Sequence, residues 1–347
     1  MTKIWIDLNL LDNKSGIGRD SKLMIEWLST NFECEVADWP KSLGRKPIFR
    51  RKILSGLRLI FGEAIHLPNA YQGALYQSQL GPLIPGKEIR VWIVRLHDLF
   101  PLTNPEWFRW WATRIFQKSL SMAVNRKAIF LCDSVSTANE VKRLYRHQTL
   151  NTFVIPCRLP REFTTKCGLC DACIGLHAVL ISKYFLSVGT IEPRKNYPLA
   201  LSAWEDLGSN SNSAPNLVIV GRPGWKTQKT QKKLRQANRE GVIWFSNSCD
   251  GALETLYSQT EGLISFSLAE GFDLPPMEAR QKYQKPLILS DIPVHREFHN
   301  DSAMFFSTKS ELLTILKNPL RKTTVSNYTE FSISNLNQVT AHIKSML

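Results

Sequence analysis

Two glutamates eight positions apart offer the most specific chemistry in this sequence. Glu270 and Glu278 flank residues 271–275, a Gly-Phe-Asp-Leu-Pro turn, and the apolar run 262–266 comes just before them. A strand, a sharp loop and a helix start in this order hold ligands at the carboxyl end of a parallel strand. We predict that Glu270 lies in the loop and binds a sugar. Glu278 should lie in the first turns of the helix, where it can accept hydrogen bonds from a ribose.

Two adjacent cations predict a complementary anion site. Arg194 and Lys195 follow the apolar run 184–188 and precede a predicted helix. Cations at the carboxyl end of a strand can neutralise a diphosphate and stabilise the charge that develops on a departing nucleoside diphosphate. Backbone N–H groups at the start of the helix that follows Glu270 favour an anion as well. Carboxylates for a sugar and a ribose, with cations for the phosphates between them, predict a nucleotide-sugar site.

Further candidate residues follow predicted strands in the first half of the chain. Gly16 and Gly18 come after the strand 3–8, and glycines at a helix start let the backbone approach a ligand closely. His97 follows the long apolar strand 89–96. A Gly-x-Gly turn is common and a single histidine is more often a core residue, so these residues depend on the rest of the chain for support.

Strand and helix patterns alternate along both halves of the chain, and the strands are nearly continuous apolar runs. This alternation predicts an α/β chain with parallel sheets covered on both faces. Two such halves predict two Rossmann-like domains whose sheets face each other across a cleft. The predicted boundaries are 1–160 for the first domain, 161–182 for a variable linker and 183–330 for the second domain, with a last helix at 331–347.

Four segments resemble the sequence blocks of family 4 of the retaining glycosyltransferases. They are residues 267–279 with the paired glutamates, 188–196 with the two cations, 96–101 with the histidine, and 15–19 with the glycines. The segments occur in the order of the family and together span nearly the whole chain. The family has the GT-B fold, and Glu-Pro-Arg-Lys-Asn at 192–196 is similar to its mannosyl- and rhamnosyltransferase-like branch.

The resemblance implies a role for each matched residue. Its catalytic residues are Glu270 and His97, which contact the donor hexose, and Arg194 and Lys195, which hold the diphosphate. The implied donor-binding residues are Gly16, Gly18, Arg194, Lys195, Gly271, Phe272, Leu274 and Glu278. Asp273 stands where many relatives have glycine, so this loop is a point at which the sequence departs from the family.

The resemblance also implies a division of labour between the domains. The N-terminal domain, 1–160, would bind the acceptor and the C-terminal domain, 183–330, the nucleotide sugar. The helix at 331–347 would pack back on the N-terminal domain. These roles are carried over from the family and do not follow from composition or periodicity.

The implied reaction is transfer of a hexose from a nucleotide sugar to an acceptor hydroxyl with retained anomeric configuration. GDP-mannose is the first expectation for the donor and a UDP- or dTDP-hexose the next. The expected acceptor is a glycan or a lipid-linked glycan of bacterial surface polysaccharide synthesis. We expect no cofactor and no catalytic metal, because the sequence has no Asp-x-Asp motif and Arg194 and Lys195 can take the electrostatic part of a metal.

Two other classes of function stay open at this point. One is a non-catalytic adaptor that uses the basic excess to bind a polyanion or a membrane, although no nucleic-acid-binding motif is present and nucleic acid is not an expected partner. The other is a sugar-nucleotide epimerase with the same two-domain architecture. An adaptor leaves the paired glutamates unexplained, and an epimerase would change the donor without any acceptor.

Basic residues are unevenly distributed along the chain. The 347 residues carry a formal net charge of +14, and residues 41–62 contain seven lysines and arginines but no acidic residue. Apolar residues are interleaved with them, and a second stretch rich in Trp, Phe and Arg lies at 107–118. Such mixtures suit the headgroup region of an anionic membrane, which we expect to be a further partner.

The sequence also predicts a location in the cell. No apolar run approaches the roughly 20 residues that cross a bilayer. The N-terminus has the pattern of a strand and not that of a signal peptide. We therefore expect a cytoplasmic protein, peripheral on the inner face of the cytoplasmic membrane.

Seven cysteines are present, and three of them cluster at Cys167, Cys170 and Cys173, with His177 four positions further on. Three thiols and an imidazole can hold zinc. However, the sequence places no second ligand pair nearby, and the family resemblance requires no metal. We therefore predict a cysteine-rich variable segment without a metal.

Overall fold

The computed structural model describes residues 3–7, 16–37, 65–66, 71–159, 167–210, 214–237, 241–318 and 328–347. The chain divides into two compact units, Met1–Arg158 with Asn327–Leu347, and Leu159–Ser326. Within the described ranges each unit is built on its own six-stranded sheet. The basic segment 41–62 lies outside the described residues.

The first unit has a parallel sheet with one short additional strand pair. Its strands are β1 (Lys3–Asp7), β2 (Glu33–Val36), β3 (Ile65–His66), β4 (Gly73–Gln77), β5 (Leu83–Ile84), β6 (Ile89–Leu96), β7 (Ile129–Cys132) and β8 (Asn151–Val154). The order in the sheet is β2-β1-β4-β6-β7-β8, with all neighbours parallel, and β3 pairs with β5. β6 is buried along almost its whole length, as its continuous apolar pattern predicts.

Helices cover this first sheet. They are α1 (Gly16–Asn31), α2 (Phe100–Thr103), α3 (Trp110–Asn125), α4 (Val135–Leu144) and, from the end of the chain, α12 (Tyr328–Met346). Leu336, Val339 and Ile343 recur on one face of α12 and are buried in the same apolar cluster as Ile4 and Met24. Burying three such side chains stabilises this packing by roughly 1.5–3 kcal/mol each.

The second unit repeats the strand–helix alternation. Its strands are β9 (Tyr184–Val188), β10 (Asn216–Val220), β11 (Val242–Phe245), β12 (Gly262–Ser265), β13 (Leu287–Ser290) and β14 (Ala303–Phe306). Its helices are α5 (Asp171–Leu180), α6 (Tyr197–Asn210), α7 (Gln228–Gln236), α8 (Asp250–Gln259), α9 (Leu274–Tyr283), α10 (Pro293–His299) and α11 (Lys309–Leu316). Two apolar clusters fill the space between the sheet and these helices.

The strand order of the second sheet locates a ligand site. The order is β11-β10-β9-β12-β13-β14, and every neighbouring pair is parallel. The chain thus runs outward from β9 to β11 on one side and from β12 to β14 on the other. Ligands of such sheets bind beyond the carboxyl ends of the strands where this reversal occurs, which here is between β9 and β12. The prediction of α/β architecture with two parallel, helix-covered sheets is confirmed.

The structure also contains elements that the sequence patterns did not predict. The segment expected to be a linker, 161–182, contains α5, which packs within the second unit through Ala172, Leu176 and Val179. These residues have helical spacing, but the cysteines around them obscured it. The strands β4 and β14 were missed as well, because each has only three or four consecutive apolar residues, too few to show a period.

The segment 107–118 belongs partly to α3. Trp110 is 69% exposed, and the rings that follow it are partly buried. No helix among the described residues is long and apolar enough to span a bilayer. The membrane contact of these basic stretches stays a prediction.

Candidate active site

The loops that follow β9 and β12, together with the helix α9 after the second loop, carry most of the residues predicted to bind the donor. β9 leads into a 3₁₀ turn, Pro193–Lys195, and β12 leads into the loop that contains Glu270. The Leu268 N–H donates to the Arg194 carbonyl at 2.7 Å, which ties the two loops together. Cations and carboxylates from distant parts of the sequence therefore meet at the switch point of the second sheet.

A glycine makes room for the buried lysine of this site. Gly189 follows β9 with φ of 155°, and a Cβ added there would lie 2.8 Å from Cε of Lys195. The Tyr197 hydroxyl donates to the Gly189 carbonyl at 3.2 Å and fixes this backbone turn. A larger residue at 189 would displace the Lys195 side chain, so the Val-Gly-Thr sequence positions the cation.

Lys195 lies between two carboxylates. Its Nζ is 2.8 Å from Oε1 of Glu270 and 2.9 Å from Oδ1 of Asp273. Burial alone would lower the pKa of Lys195, but the charges of Asp273 and Glu270 outweigh burial and raise it above its ordinary value. The lysine is therefore a fixed positive charge, held in place from two sides.

Arg194 is the more accessible cation of the pair. Its guanidinium forms ion pairs with Glu270 and, at 2.6 Å, with Oε1 of Glu192. The Arg194 side chain keeps 21% of its surface exposed, against 8% for Lys195 and 5% for Glu270. An approaching anion therefore meets Arg194 first.

Asp273 occupies a backbone position that explains why the family resemblance leads us to expect glycine. Its φ of 65° and ψ of 76° lie in the left-handed region, where glycine is favoured and aspartate is among the better-tolerated residues. Its buried carboxylate accepts from the Ser265 hydroxyl at 2.7 Å and lies 2.9 Å from Nε2 of His295. Burial would raise the pKa of Asp273, but Lys195 and His295 outweigh it and hold the pKa well below its ordinary value.

The loop and helix after Glu270 hold the remaining donor-binding candidates. Glu278 is buried in α9 and accepts from the Tyr257 hydroxyl at 2.8 Å. The ring of Tyr257 stacks on that of Tyr283 with centroids 5.2 Å apart. Phe272 is buried with its ring edge-on to Phe298 at 4.8 Å. Gly271 is buried beside it in the same loop.

The start of α9 is a weaker anion site than the sequence patterns suggest. The helix begins at Leu274 and continues with Pro275 and Pro276. Proline has no N–H, so only Leu274 and Met277 carry backbone donors in this first turn. Arg194 and Lys195 therefore have to supply most of the attraction for a diphosphate.

The first unit has a charged cluster of its own. Arg95 of β6 is fully buried, with Nε 2.8 Å from Asp20 of α1 and an Nη 2.9 Å from Asp133, the residue after β7. The other Nη donates to the Ile155 carbonyl at 2.6 Å. Burial would lower the pKa of Arg95, but Asp133 and Asp20 outweigh it and raise the pKa. The guanidinium is thus the cation that these two carboxylates enclose.

His97 belongs to this first-unit cluster. Its Nδ1 is 2.8 Å from Oδ2 of Asp133, and its Nε2 is 3.0 Å from the Ser78 carbonyl. A carbonyl and a carboxylate both accept, so both ring nitrogens act as donors. Burial lowers the pKa of His97, but Asp133 outweighs it and the net shift is upward, which agrees with a protonated ring. The predicted contact of His97 with a donor hexose would require it to exchange one of these partners.

Gly16 and Gly18 are the first and third residues of α1. Gly18 is buried, and Asp20 in the same turn binds Arg95. The glycines therefore lie at the helix start that is anchored to the first-unit cluster. Their role in donor binding stays a prediction.

Several residues of these clusters were missed by sequence reasoning. Arg95 interrupts an apolar strand, and a charge in a buried strand requires an opposite charge nearby, so this signal was readable. Its partners were not, because they come from separate elements. Glu192 and His295 carried no signal of their own beside the stronger Arg194 and Glu270 motifs.

Residues 180–311 match the family model described as Glycosyl transferases group 1. The second unit is a glycosyl transferases group 1 domain. The matched range contains Arg194, Lys195, Glu270 and Glu278, and it confirms the glycosyltransferase resemblance of the segments 188–196 and 267–279.

Two curated relatives that this chain resembles are mannosyltransferases by name. It is 35% identical over 225 residues to the serotype-specific mannosyltransferase WbdA of Escherichia coli, a match that covers 61% of this chain and 27% of WbdA. It is 28% identical over 223 residues to the O-antigen chain mannosyltransferase RfbU of Salmonella typhimurium, covering 63% of this chain and 57% of RfbU. The chain thus spans about a quarter and about half of the lengths of these relatives.

A solved structure supports the fold of the whole chain. The structure of HepE from Anabaena in complex with UDP superposes with a TM-score of 0.56 and 14% identity, and the match covers 100% of this chain and 97% of HepE. At this identity the likeness concerns the fold alone. It confirms the GT-B class predicted from the resemblance.

Proposed function

We propose that the protein is a retaining glycosyltransferase that moves a hexose from a nucleotide sugar to an acceptor hydroxyl. The observation that carries the proposal is the direct contact of Glu270 with Arg194 and Lys195 at the switch point of the second sheet. A carboxylate for a sugar and two cations for a diphosphate are adjacent there. A sugar and a diphosphate are likewise adjacent in a nucleotide sugar.

Donor binding would replace one set of ion pairs by another. The diphosphate offers oxygens that can take the place of the Glu270 carboxylate on Arg194 and Lys195, and Arg can engage phosphate through two parallel hydrogen bonds. Glu270 then turns to the donor hexose and accepts hydrogen bonds from its hydroxyls. Asp273 and His295 keep Lys195 in place during this exchange, because their contacts lie on the buried side of the cluster.

The reaction breaks the bond between the anomeric carbon and the diphosphate oxygen, and the electron pair leaves with the nucleoside diphosphate. The acceptor oxygen forms the new bond on the same face, and its proton passes to the departing phosphate oxygen. Arg194 and Lys195 stabilise the charge that grows on the leaving group, and Glu270 stabilises the positive charge on the sugar ring. Glu278, oriented by Tyr257, is proposed to bind the ribose.

The proposed donor is GDP-mannose, with a UDP- or dTDP-hexose as the next choice. WbdA and RfbU are both mannosyltransferases by name, which favours mannose. The acceptor would be a glycan or a lipid-linked glycan of a bacterial surface polysaccharide, presented at an anionic membrane surface. Since two cations face the diphosphate, turnover should require no added divalent metal.

A donor screen tests the proposal. Purified protein is mixed with GDP-mannose, UDP-glucose, dTDP-rhamnose and related donors, and melting temperature and release of nucleoside diphosphate are measured. A ligand stabilises the folded state in proportion to its occupancy, so the correct donor should raise the melting temperature and be consumed. Glu270→Gln should abolish release, while Glu261→Gln, an exposed glutamate before β12, should not.

The same screen separates the other classes of function. Release of nucleoside diphosphate in the wild-type protein, lost in Glu270→Gln, supports a transferase. Conversion of the donor into another nucleotide sugar without release would show an epimerase and refute the proposal. An adaptor would neither be stabilised by a donor nor consume one, and that result would refute it as well.

A further inference from the structure

Four cysteines of the second unit converge at one point. The Sγ atoms of Cys167, Cys170, Cys173 and Cys249 all lie within 4.8 Å of one another, and those of Cys173 and Cys249 are 3.5 Å apart. Cys249 stands alone in the sequence, far from the other three. His177, the ligand that sequence spacing suggested as the fourth, is exposed and does not belong to the group.

The distances fit one tetrahedral ion. With Zn–S bonds of about 2.3 Å, the corners of a tetrahedron lie about 3.8 Å apart, within the spread of these sulfur atoms. Sulfur atoms joined in a disulfide approach to about 2.05 Å, and none of the described cysteines forms one. An iron–sulfur cluster holds its thiolates farther apart, because several iron atoms lie between them.

The backbone around the cysteines is arranged for negative sulfur atoms. Cys170 precedes α5 and Cys249 precedes α8, so two helix N-termini point their partial positive charge at the cluster. Cys170 Sγ accepts from the N–H of Cys249 at 3.2 Å and from that of Cys173 at 3.4 Å. Cys249 Sγ accepts from the N–H of Cys167 at 3.4 Å. Four thiolates on a zinc ion carry a net charge of −2, which these dipoles and donors offset.

The turn between the first two cysteines has the backbone that such a site requires. Gly168 has φ of 74°, a conformation that glycine adopts without strain, and it lets Cys167 and Cys170 face the same point. Asp171 reinforces the junction: its N–H donates to the Asn247 side chain at 2.9 Å, and its carboxylate accepts from Ser246. These hydrogen bonds of Asp171 fasten the loop after β11 to the start of α5, next to Cys170.

We propose that Cys167, Cys170, Cys173 and Cys249 bind one zinc ion that fastens α5 to the start of α8. This structural site is separate from the ion pairs of Glu270 and goes beyond the proposed transferase activity. Its role follows from the packing of α5, which buries only Ala172, Leu176 and Val179 and leaves Ile174 73% exposed. A ten-residue helix with so little buried surface is only marginally stable by itself. Bonds between a metal ion and the thiolates at its start would stabilise it.

Metal analysis of the full-length protein tests this proposal. The protein is expressed with zinc in the medium and purified under reducing conditions, and zinc, iron and acid-labile sulfide are measured per chain. We expect about one zinc per chain in the wild type and less than about a tenth in Cys249→Ser. His177→Ala should retain the ion, since the imidazole lies outside the cluster. Cys34→Ser, which removes a cysteine of the first unit, should retain it as well.

A spectroscopic measurement covers the case in which Cys249→Ser does not fold. Wild-type protein with zinc replaced by cobalt should show the absorption of a tetrahedral site with four thiolates, and removal of zinc by chelator should lower the melting temperature. A wild type without stoichiometric zinc, or with iron and sulfide in its place, would overturn the proposal. So would disulfides among these cysteines after reducing purification, or zinc loss in His177→Ala.

Discussion

The two sheets each carry a charged cluster near the carboxyl ends of their central strands, and the clusters differ in exposure. In the first unit the side chains of Arg95 and Asp20 are 0% exposed and that of Asp133 is 4% exposed. In the second unit the Arg194 side chain is 21% exposed, although its partner Glu270 is buried. One cluster is closed to solvent and the other is open at one end.

This difference separates a structural role from a binding role. A buried ion pair is stable only when every charge keeps its partner, because an unpaired buried charge has lost its hydration. In a cluster with one partly exposed cation, an anionic ligand can take the place of a carboxylate on that cation. The first-unit cluster therefore holds α1, β6 and β7 together, and the second-unit cluster is the one suited to a diphosphate.

The largest expected effect concerns the closed cluster. Asp133→Asn would leave Arg95 and His97 without a shared anion and should reduce the free energy of unfolding by about 3–5 kcal/mol. Urea denaturation measures this change. Asp291→Asn breaks an ion pair with Arg296 that is exposed on both sides, and should leave the urea midpoint nearly unchanged. If both variants unfold at the wild-type midpoint, the first-unit cluster does not stabilise the fold.

The open cluster should respond in activity more than in stability. Arg194→Ala removes the cation that a diphosphate meets first and should lower turnover by about 100-fold. Because the Arg194 side chain is partly exposed, water can take its place beside Glu192 and Glu270, so the melting temperature should fall less than in Asp133→Asn. Steady-state kinetics and thermal unfolding of the same preparation give both values, with Lys233→Ala on the exposed side of α7 as the control. An unfolded or fully active Arg194→Ala would remove the distinction between the two clusters.

Two buried histidines, one in each unit, differ in the direction of their pKa shifts. His97 is paired and its pKa is raised, whereas both ring nitrogens of the buried His299 lack a hydrogen-bond partner among the described residues. Burial, with the nearby charges of His295 and Arg280, lowers the pKa of His299 to about 3. In the unfolded chain His299 takes up a proton near pH 6.5, whereas in the folded chain it stays neutral at that pH. His299 therefore lowers the free energy of unfolding as pH falls through 6.5.

The predicted size of the His299 effect is about 2 kcal/mol of unfolding free energy lost between pH 7 and pH 5. His299→Leu should remove this loss, because no hydrogen bond is given up. Urea midpoints at the two pH values measure it, with exposed His147→Leu as the control. His97 has the opposite pH dependence. Its contribution to the free energy of unfolding is complete below pH 6.5 and declines as pH rises through its raised pKa. Equal pH dependence in His299→Leu and wild type would contradict the assignment.

Asp273→Gly carries the smallest expected effect on activity. Asp273→Gly introduces a residue that suits φ of 65° but removes one of the two carboxylates that contact Lys195. Lys195 should then bind Glu270 more tightly. A diphosphate must compete with that pair, so the donor KM should rise about tenfold while kcat changes less. Asparagine tolerates the same backbone and keeps an acceptor for Lys195. The donor KM of Asp273→Asn should therefore lie between those of the wild type and Asp273→Gly. A glycine variant with unchanged KM would limit Asp273 to a structural role.

The sequence predicted the open cluster well because its parts are local. Glu270 and Glu278 lie on one strand–loop–helix unit, and Arg194 and Lys195 on another, so spacing alone indicates which residues follow which strand. The strand order that brings the two units together is a general property of parallel sheets. Spacing did not predict that Glu270 would bind the cations directly.

The partners of Arg95 in the closed cluster and the fourth cysteine, Cys249, were beyond sequence patterns. Arg95 and Asp20 are 75 residues apart, and Cys173 and Cys249 are 76 residues apart. Such contacts depend on tertiary packing, which periodicity does not encode. His97 was selected because it follows a buried strand, yet the same position places it within reach of Asp133. The helix α5 was not predicted within the segment 161–182, since the residues that pack it are separated by cysteines and a glycine.

The central claim is that the switch point of the second sheet holds the diphosphate and the sugar of the donor. A crystal structure with GDP-mannose, or with whichever nucleotide sugar the screen selects, tests it most directly. We predict diphosphate oxygens within about 3 Å of Arg194 and Lys195, with Glu270 released from these cations and turned toward the hexose. A donor bound elsewhere, with the Glu270 ion pairs unchanged, would contradict this account.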